Sequence, residues 1–167
     1  LCAVVESSGL TWFWEYQDLL YRRSGLERSL SGSLVNQLGL PAITLEIGPK
    51  GRVDLGAVEC TEQAVKSILM GLNMVSIPLT RKRNDGPSMR RASSARNKVG
   101  GRFEALIEPG GLYSTGDVLG IIRSVSGEIR EEITADEAGM VLSWNDAGWL
   151  QPGSFVGTLA VRENKER

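Results

Sequence analysis

The run Ile43-Thr44-Leu45-Glu46-Ile47 is dominated by β-branched and apolar side chains, as in a buried strand, and Gly48-Pro49 followed by Gly51 stops it abruptly. The spacing therefore predicts a strand with Glu46 near its C-terminal end. Ahead of it, Ser31-Gly32-Ser33 starts a short helix through Leu34, Val35 and Leu38, which Gly39 and Pro41 terminate. After the Gly-rich loop, Thr61 is a candidate N-cap with Glu62 in the first turn. Ala64, Val65, Ile68, Leu69, Leu72 and Val75 then recur at helical spacing and form one apolar stripe fit to pack on a sheet, with Pro78 marking the exit. Leu1 to Val5 reads as a short buried strand closed by a turn at Glu6-Ser7-Ser8-Gly9. Arg81 to Lys98 is polar, basic and without periodicity, the pattern of an exposed linker or loop.

The rest of the chain is β-rich and carries an internal repeat. The glycine spacing of Gly111 to Gly120 recurs from Gly148 to Gly157, and each copy runs into apolar residues, Ile121-Ile122 and Leu159-Ala160-Val161. Ser126-Gly127 suits a further turn and Ala138 to Leu142 a further strand, so two similar turn-strand units are expected to pair in a small β sandwich or barrel. Three segments follow: 1–80, an α/β part; 81–99, a basic linker or loop; and 100–167, the β-rich domain.

The net charge of -1 argues against a nucleic-acid footprint over the whole molecule, and no aromatic residues interleave the basic stretch as a single-strand binder would need. No apolar run approaches the length of a membrane span, and no signal-peptide pattern opens the chain. Two widely separated cysteines, Cys2 and Cys60, make no disulfide framework. A cytoplasmic protein that binds neither nucleic acid nor membrane is expected.

A carboxylate at the end of a strand is well placed for chemistry, because ligands gather outside the carboxyl ends of strands in open α/β sheets. The alternative for Glu46 is a solvated or ion-paired strand-end residue. Trp12, Phe13, Trp14 and Tyr16 form an aromatic cluster whose two readings are core packing and the wall of a pocket.

Leu45-Glu46-Ile47-Gly48-Pro49, followed by a Gly-containing loop and an amphipathic helix, resembles the aspartoacylase and succinylglutamate desuccinylase family of zinc-dependent deacylases, and the resemblance runs from about Leu30 onward. It implies the end of a zinc-carboxypeptidase-like α/β domain followed by a small β-sandwich or barrel domain. It also implies that Glu46 is the general acid/base in hydrolysis of the amide of an N-acyl amino acid or similar small molecule, with zinc as cofactor. A tyrosine of the family's C-terminal domain can reach substrate, and Tyr113 is the candidate here. The β-rich part also resembles lipoyl and biotinyl carrier domains. Those attach their cofactor to a hairpin lysine, and no Lys occurs from Val99 to Asn164.

The chain departs from the family in its metal ligands. The family binds zinc with a His-x-x-Glu pair and a later His upstream of the Glu motif, and this sequence contains no His; Cys2 and Cys60 lack metal-ligand spacing, so no metal ligand is assigned. No arginine is assigned to clamp a substrate carboxylate either, because Leu34, Val35 and Asn36 stand where the family's arginine would be. The expectation is the C-terminal portion of such an enzyme, whose partners are the small-molecule substrate and the missing N-terminal half. A non-catalytic binding or scaffold relative is the alternative, and the sequence leaves a homo-oligomer open.

Overall fold

The computed structural model describes residues 2–49, 51–77, 88–92 and 95–163. The chain divides into two compact units: 1–12 with 18–87, and 13–17 with 88–167. The β unit therefore borrows a short segment from the N-terminal region and takes in most of the stretch expected as a linker. Arg81 to Pro87, and Pro78 with them, lie outside the described residues.

The first unit is helical among its described residues: α1 (Cys2–Ser7), α2 (Asp18–Arg23), a 3-10 turn (Leu26–Arg28), α3 (Leu30–Leu38) and α4 (Leu55–Gly71). The strand expected at the N-terminus is α1 instead. No described strand of this unit offers it a ladder, whereas a helix satisfies its own backbone groups. It packs on α4, whose Ala64 and Ser67 are buried, and Ser7 Oγ donates to the Ser67 carbonyl at 3.4 Å. Helix α3 stops as its sequence predicts and starts at Leu30, one residue ahead of the Ser31 expected to open it. Ser29 caps it by accepting from Gly32 N at 3.1 Å, and Gly39 ends it with φ 65°.

Helix α4 begins six residues before Thr61, because Asp54 is the stronger cap: its Oδ1 accepts from Ala57 N at 2.8 Å. Thr61 turns its hydroxyl back to the Ala57 carbonyl at 2.8 Å, the usual outlet for a threonine inside a helix.

The second unit is a two-sheet β fold. Its strands are β1 (Met89–Arg91), β2 (Arg102–Ala105), β3 (Leu112–Tyr113), β4 (Val118–Arg123), β5 (Ile129–Thr134), β6 (Gly139–Trp144) and β7 (Gly157–Arg162). The sheets are β1-β7-β6-β3 and β2-β4-β5, and every pairing between these strands is antiparallel. Two apolar clusters fill the space between them. One holds Tyr113, Leu119, Ala135, Val141 and Leu159; the other holds Ile122, Ile133, Leu150 and Val156. Trp144 packs against both, and its ring lies 5.1 Å from that of Phe103.

The duplication read from glycine spacing is present in atomic detail. Tyr113 and Leu150 are buried at matched positions, as are Leu119 and Val156. Gly116 and Gly153 turn the chain with φ 86° and 80°, and each turn closes with a bond of 3.1 Å, Asp117 N to Ser114 O and Ser154 N to Gln151 O. Each turn glycine also donates across the fold, Gly116 to Ala135 O at 2.8 Å and Gly153 to Asn97 O at 2.7 Å. Tyr113 pairs with Gly139 and Leu150 bridges Gly101. A Cβ on Gly139 would lie 2.0 Å from the Ala160 carbonyl oxygen, and one on Gly101 2.4 Å from that of Arg123.

Among the described residues, the basic stretch is structural. Arg96 bridges Phe155, Asn97 is buried, and Arg90 and Arg91 pair with Glu163 and Glu15. The aromatic cluster follows the packing reading where it meets this unit, with Trp14 bridged to Arg90 and Tyr16 beneath the Arg91 guanidinium at 4.9 Å. Among the described residues no helix is long and apolar enough to cross a membrane.

The two halves should respond alike to matched substitutions. Gly101→Ala and Gly139→Ala should each lower stability by about 3 kcal/mol, since a backbone carbonyl blocks the new methyl. Gly116→Ala and Gly153→Ala face open space and should cost only the left-handed strain, about 1–2 kcal/mol. Urea midpoints at constant m-value check both pairs, and an unequal response within a pair would break the equivalence.

Tyr113 supplies a pH test of the same core. Burial, and then the charge of Glu137, push its hydroxyl up to about 12. The unfolded chain ionises near 10, so the protonated folded form contributes stability fully below pH ~10, lost as pH rises toward 12. Thermal melts from pH 9 to 11 should show this decline in the wild type and a flatter profile in Tyr113→Phe.

Candidate functional site

Glu46 lies in the segment between α3 and α4, which forms no strand. A strand needs a neighbour for its backbone donors and acceptors, and the described residues of this unit provide none. The expected burial is likewise absent. Glu46 is exposed, Ile43 is 40% and Ile47 48% exposed, and only Ala42 and Leu45 of the segment are half-buried.

Two contacts nevertheless fix the segment on either side of the carboxylate. Thr44 Oγ1 donates to Ser31 Oγ at 3.1 Å, tying the segment to the first turn of α3. Beyond Glu46 the loop turns at Gly48 and Gly51, with φ 69° and 75°. A Cβ on Gly48 would lie 3.2 Å from the Ala57 Cβ, so this glycine supplies both the left-handed turn and close approach to the start of α4. Asp54 then caps the helix. Glu46 is thus an exposed carboxylate held between two helix beginnings. Thr44 and Asp54 escaped sequence reasoning as pinning residues, and Ser31 enters it only as a helix start; a hydroxyl or carboxylate residue just ahead of a helix is the signal that would have found the cap.

The second expected site residue is elsewhere. Tyr113 is 6% exposed in the β core, where its hydroxyl donates to the Ala160 carbonyl at 3.3 Å, rather than standing at the tip of its turn. Glu46 and Tyr113 fall in different units.

The donor set does not fit a zinc ion. The sequence contains no His, and among the described residues no three His, Cys, Asp or Glu side chains are grouped closely enough to hold a metal. Cys60 is half-buried on α4. Arg28 pairs with Glu27 at 3.5 Å, beside the start of α3.

No family model matches the sequence, and no curated protein matches it. Solved structures do match its fold. The apo structure of the ectoine utilization protein EutE (DoeB) from Ruegeria pomeroyi superposes with a TM-score of 0.65 at 20% identity, covering 78% of this chain and 42% of that one. A succinylglutamate desuccinylase/aspartoacylase from Rhodobacter sphaeroides gives 0.66 at 18% identity, covering 92% of this chain and 53% of that one. An aspartoacylase family protein from Mesorhizobium loti gives 0.60 at 23% identity, covering 79% and 47%. The chain spans about four tenths to one half of the length of these structures. Its mixed helical and antiparallel-sheet fold is that of part of the succinylglutamate desuccinylase/aspartoacylase structures.

Proposed function

We propose that this chain is the Glu46-bearing part of a deacylase that hydrolyses the amide of an N-acyl amino acid or a similar small molecule. The observation that carries the reading is the fold shared with part of several deacylase-family structures. Glu46 lies between α3 and α4 in the helical unit of this chain. In this reaction a water oxygen bonds to the acyl carbon and the carbon–nitrogen bond breaks. Glu46 takes the water's proton and returns it to the leaving amine, so a carboxylic acid and an amine are released. Among the described residues no cluster of His, Cys, Asp or Glu side chains fits a zinc ion. In this reading its ligands belong to a part of the longer protein outside this sequence.

The exposed apolar residues of the helical unit support a further part of the reading, that more of an α/β domain covers it. Leu55, Val58, Val65 and Leu72 are 81%, 50%, 41% and 50% exposed along one side of α4, while its Ala64 and Ser67 are buried on another. A helix apolar on two sides is built to be covered on both. That covering layer also gives the Glu46 segment a sheet to join.

A second reading, a non-catalytic binding or scaffold relative, is favoured by the exposure of Glu46 and the absence of His. One measurement tests the absence of a zinc site that both readings share, and a second separates them. The chain by itself should retain no stoichiometric zinc through dialysis against a mild chelator, and chelator should leave its melting temperature unchanged. In the longer protein, Glu46→Gln should keep fold and metal content while kcat falls about a hundredfold to ten-thousandfold, the usual contribution of general acid/base catalysis. A fully active Glu46→Gln enzyme would remove Glu46 from the mechanism.

A further inference from the structure

Strand β1 is an outer strand of the four-stranded sheet, with β7 on one side. The other side is closed by the segment 13–17, drawn from between α1 and α2 and running parallel to β1. Trp14 N donates to Met89 O at 2.8 Å and Arg91 N donates to Trp14 O at 2.8 Å. Among the described residues these two main-chain bonds are few to hold a segment arriving from more than seventy residues away, and the neighbouring side chains help it stay. Successive residues of a strand point to opposite faces, so Arg90 and Arg91 grip the segment from two sides. Arg90 Nη1 donates to the Glu15 carbonyl at 2.8 Å, while its Nε reaches Glu163 Oε1 at 3.0 Å and Nη2 pairs with the same oxygen. Ser88 Oγ donates to the other Glu163 oxygen at 3.0 Å. On the opposite face the Arg91 guanidinium lies 4.9 Å from the Tyr16 ring centroid and reaches the Glu15 carboxylate at 3.4 Å. The Arg90 side chain is only 26% exposed, so its charge-assisted bonds are partly shielded from water.

We propose that the segment 13–17 is a latched edge strand. It closes the open edge of β1, Arg90 and Arg91 hold it from opposite faces, and its release as a unit is the lowest-energy opening of this sheet. Unpaired edges invite pairing with other extended chains, and the strap blocks that edge in the closed state. Opening it frees the Met89 carbonyl and the Arg91 amide. The hydrogen bond from Arg90 is the main reason Glu163 titrates below the ordinary glutamate range, as a carboxylate held in such a latch would.

Residue-resolved hydrogen exchange on the whole chain tests the latch. In the wild type the Trp14 and Arg91 amides should exchange through one shared opening, faster than Ala92, whose amide bonds to Leu159 O across β1–β7. Arg90→Gln should speed exchange at Trp14 and Arg91 by about tenfold or more, the scale of a lost charged hydrogen bond, and leave Ala92 unchanged. Glu163→Gln should move the same two amides in the same direction by less. Should Arg90→Gln fail to fold, Glu163→Gln carries the comparison; should both fail, the shared wild-type opening decides it. Free exchange at Trp14 in the wild type, separate openings for Trp14 and Arg91, or equal acceleration of all three amides in the variants would overturn the proposal.

Discussion

At Gly101 and Gly139 the backbone of one strand approaches the carbonyl of its neighbour so closely that no Cβ fits. These two approaches let Leu150 and Tyr113 lie against them and drop into the two core clusters. The rest of the β unit follows from that constraint. The turns at Gly116 and Gly153 return each chain segment at the same geometry, and their amides donate to carbonyls on the far side of the fold. Trp144 closes the space between the clusters. Its indole Nε1 donates to the Ile107 carbonyl at 2.7 Å, so a large ring is half-buried without an unmet donor.

The helical unit is built on a different balance. Its buried interior is small, formed where α1 meets the Ala64 and Ser67 side of α4, and much of its apolar surface faces solvent. Its local order comes chiefly from caps and pins: Ser29 and Asp54 at the helix starts, Gly39 at a helix end, and the Thr44–Ser31 bond. Such interactions fix backbone position but remove little apolar area from water. Glu46 sits at the centre of this arrangement. Its position is set by neighbours on both sides, while Ile43 and Ile47 beside it are exposed.

Local chemistry was legible wherever it decides the backbone. Gly39 at the end of α3, the Gly48 and Gly51 loop, the Ser126-Gly127 turn, strand β6 and the repeated Gly111 and Gly148 patterns all follow from residues whose permitted dihedrals are few or whose spacing is periodic. Tertiary structure decided the rest, because pairing and burial depend on what lies opposite. The residues after Leu1 form helix rather than strand, and Ile43 to Ile47 lacks the strand its composition suits, since no described neighbour offers a ladder. The same absence leaves Glu46 in water. Asp54 displaced Thr61 as the cap because whichever acceptor first meets the free amides starts the helix. Tyr113 went inward because its strand faces Gly139, and Met89 to Arg91 became a strand because β7 and a distant strap flank it. Those partners lie 26 to 76 residues away, beyond the reach of any local pattern.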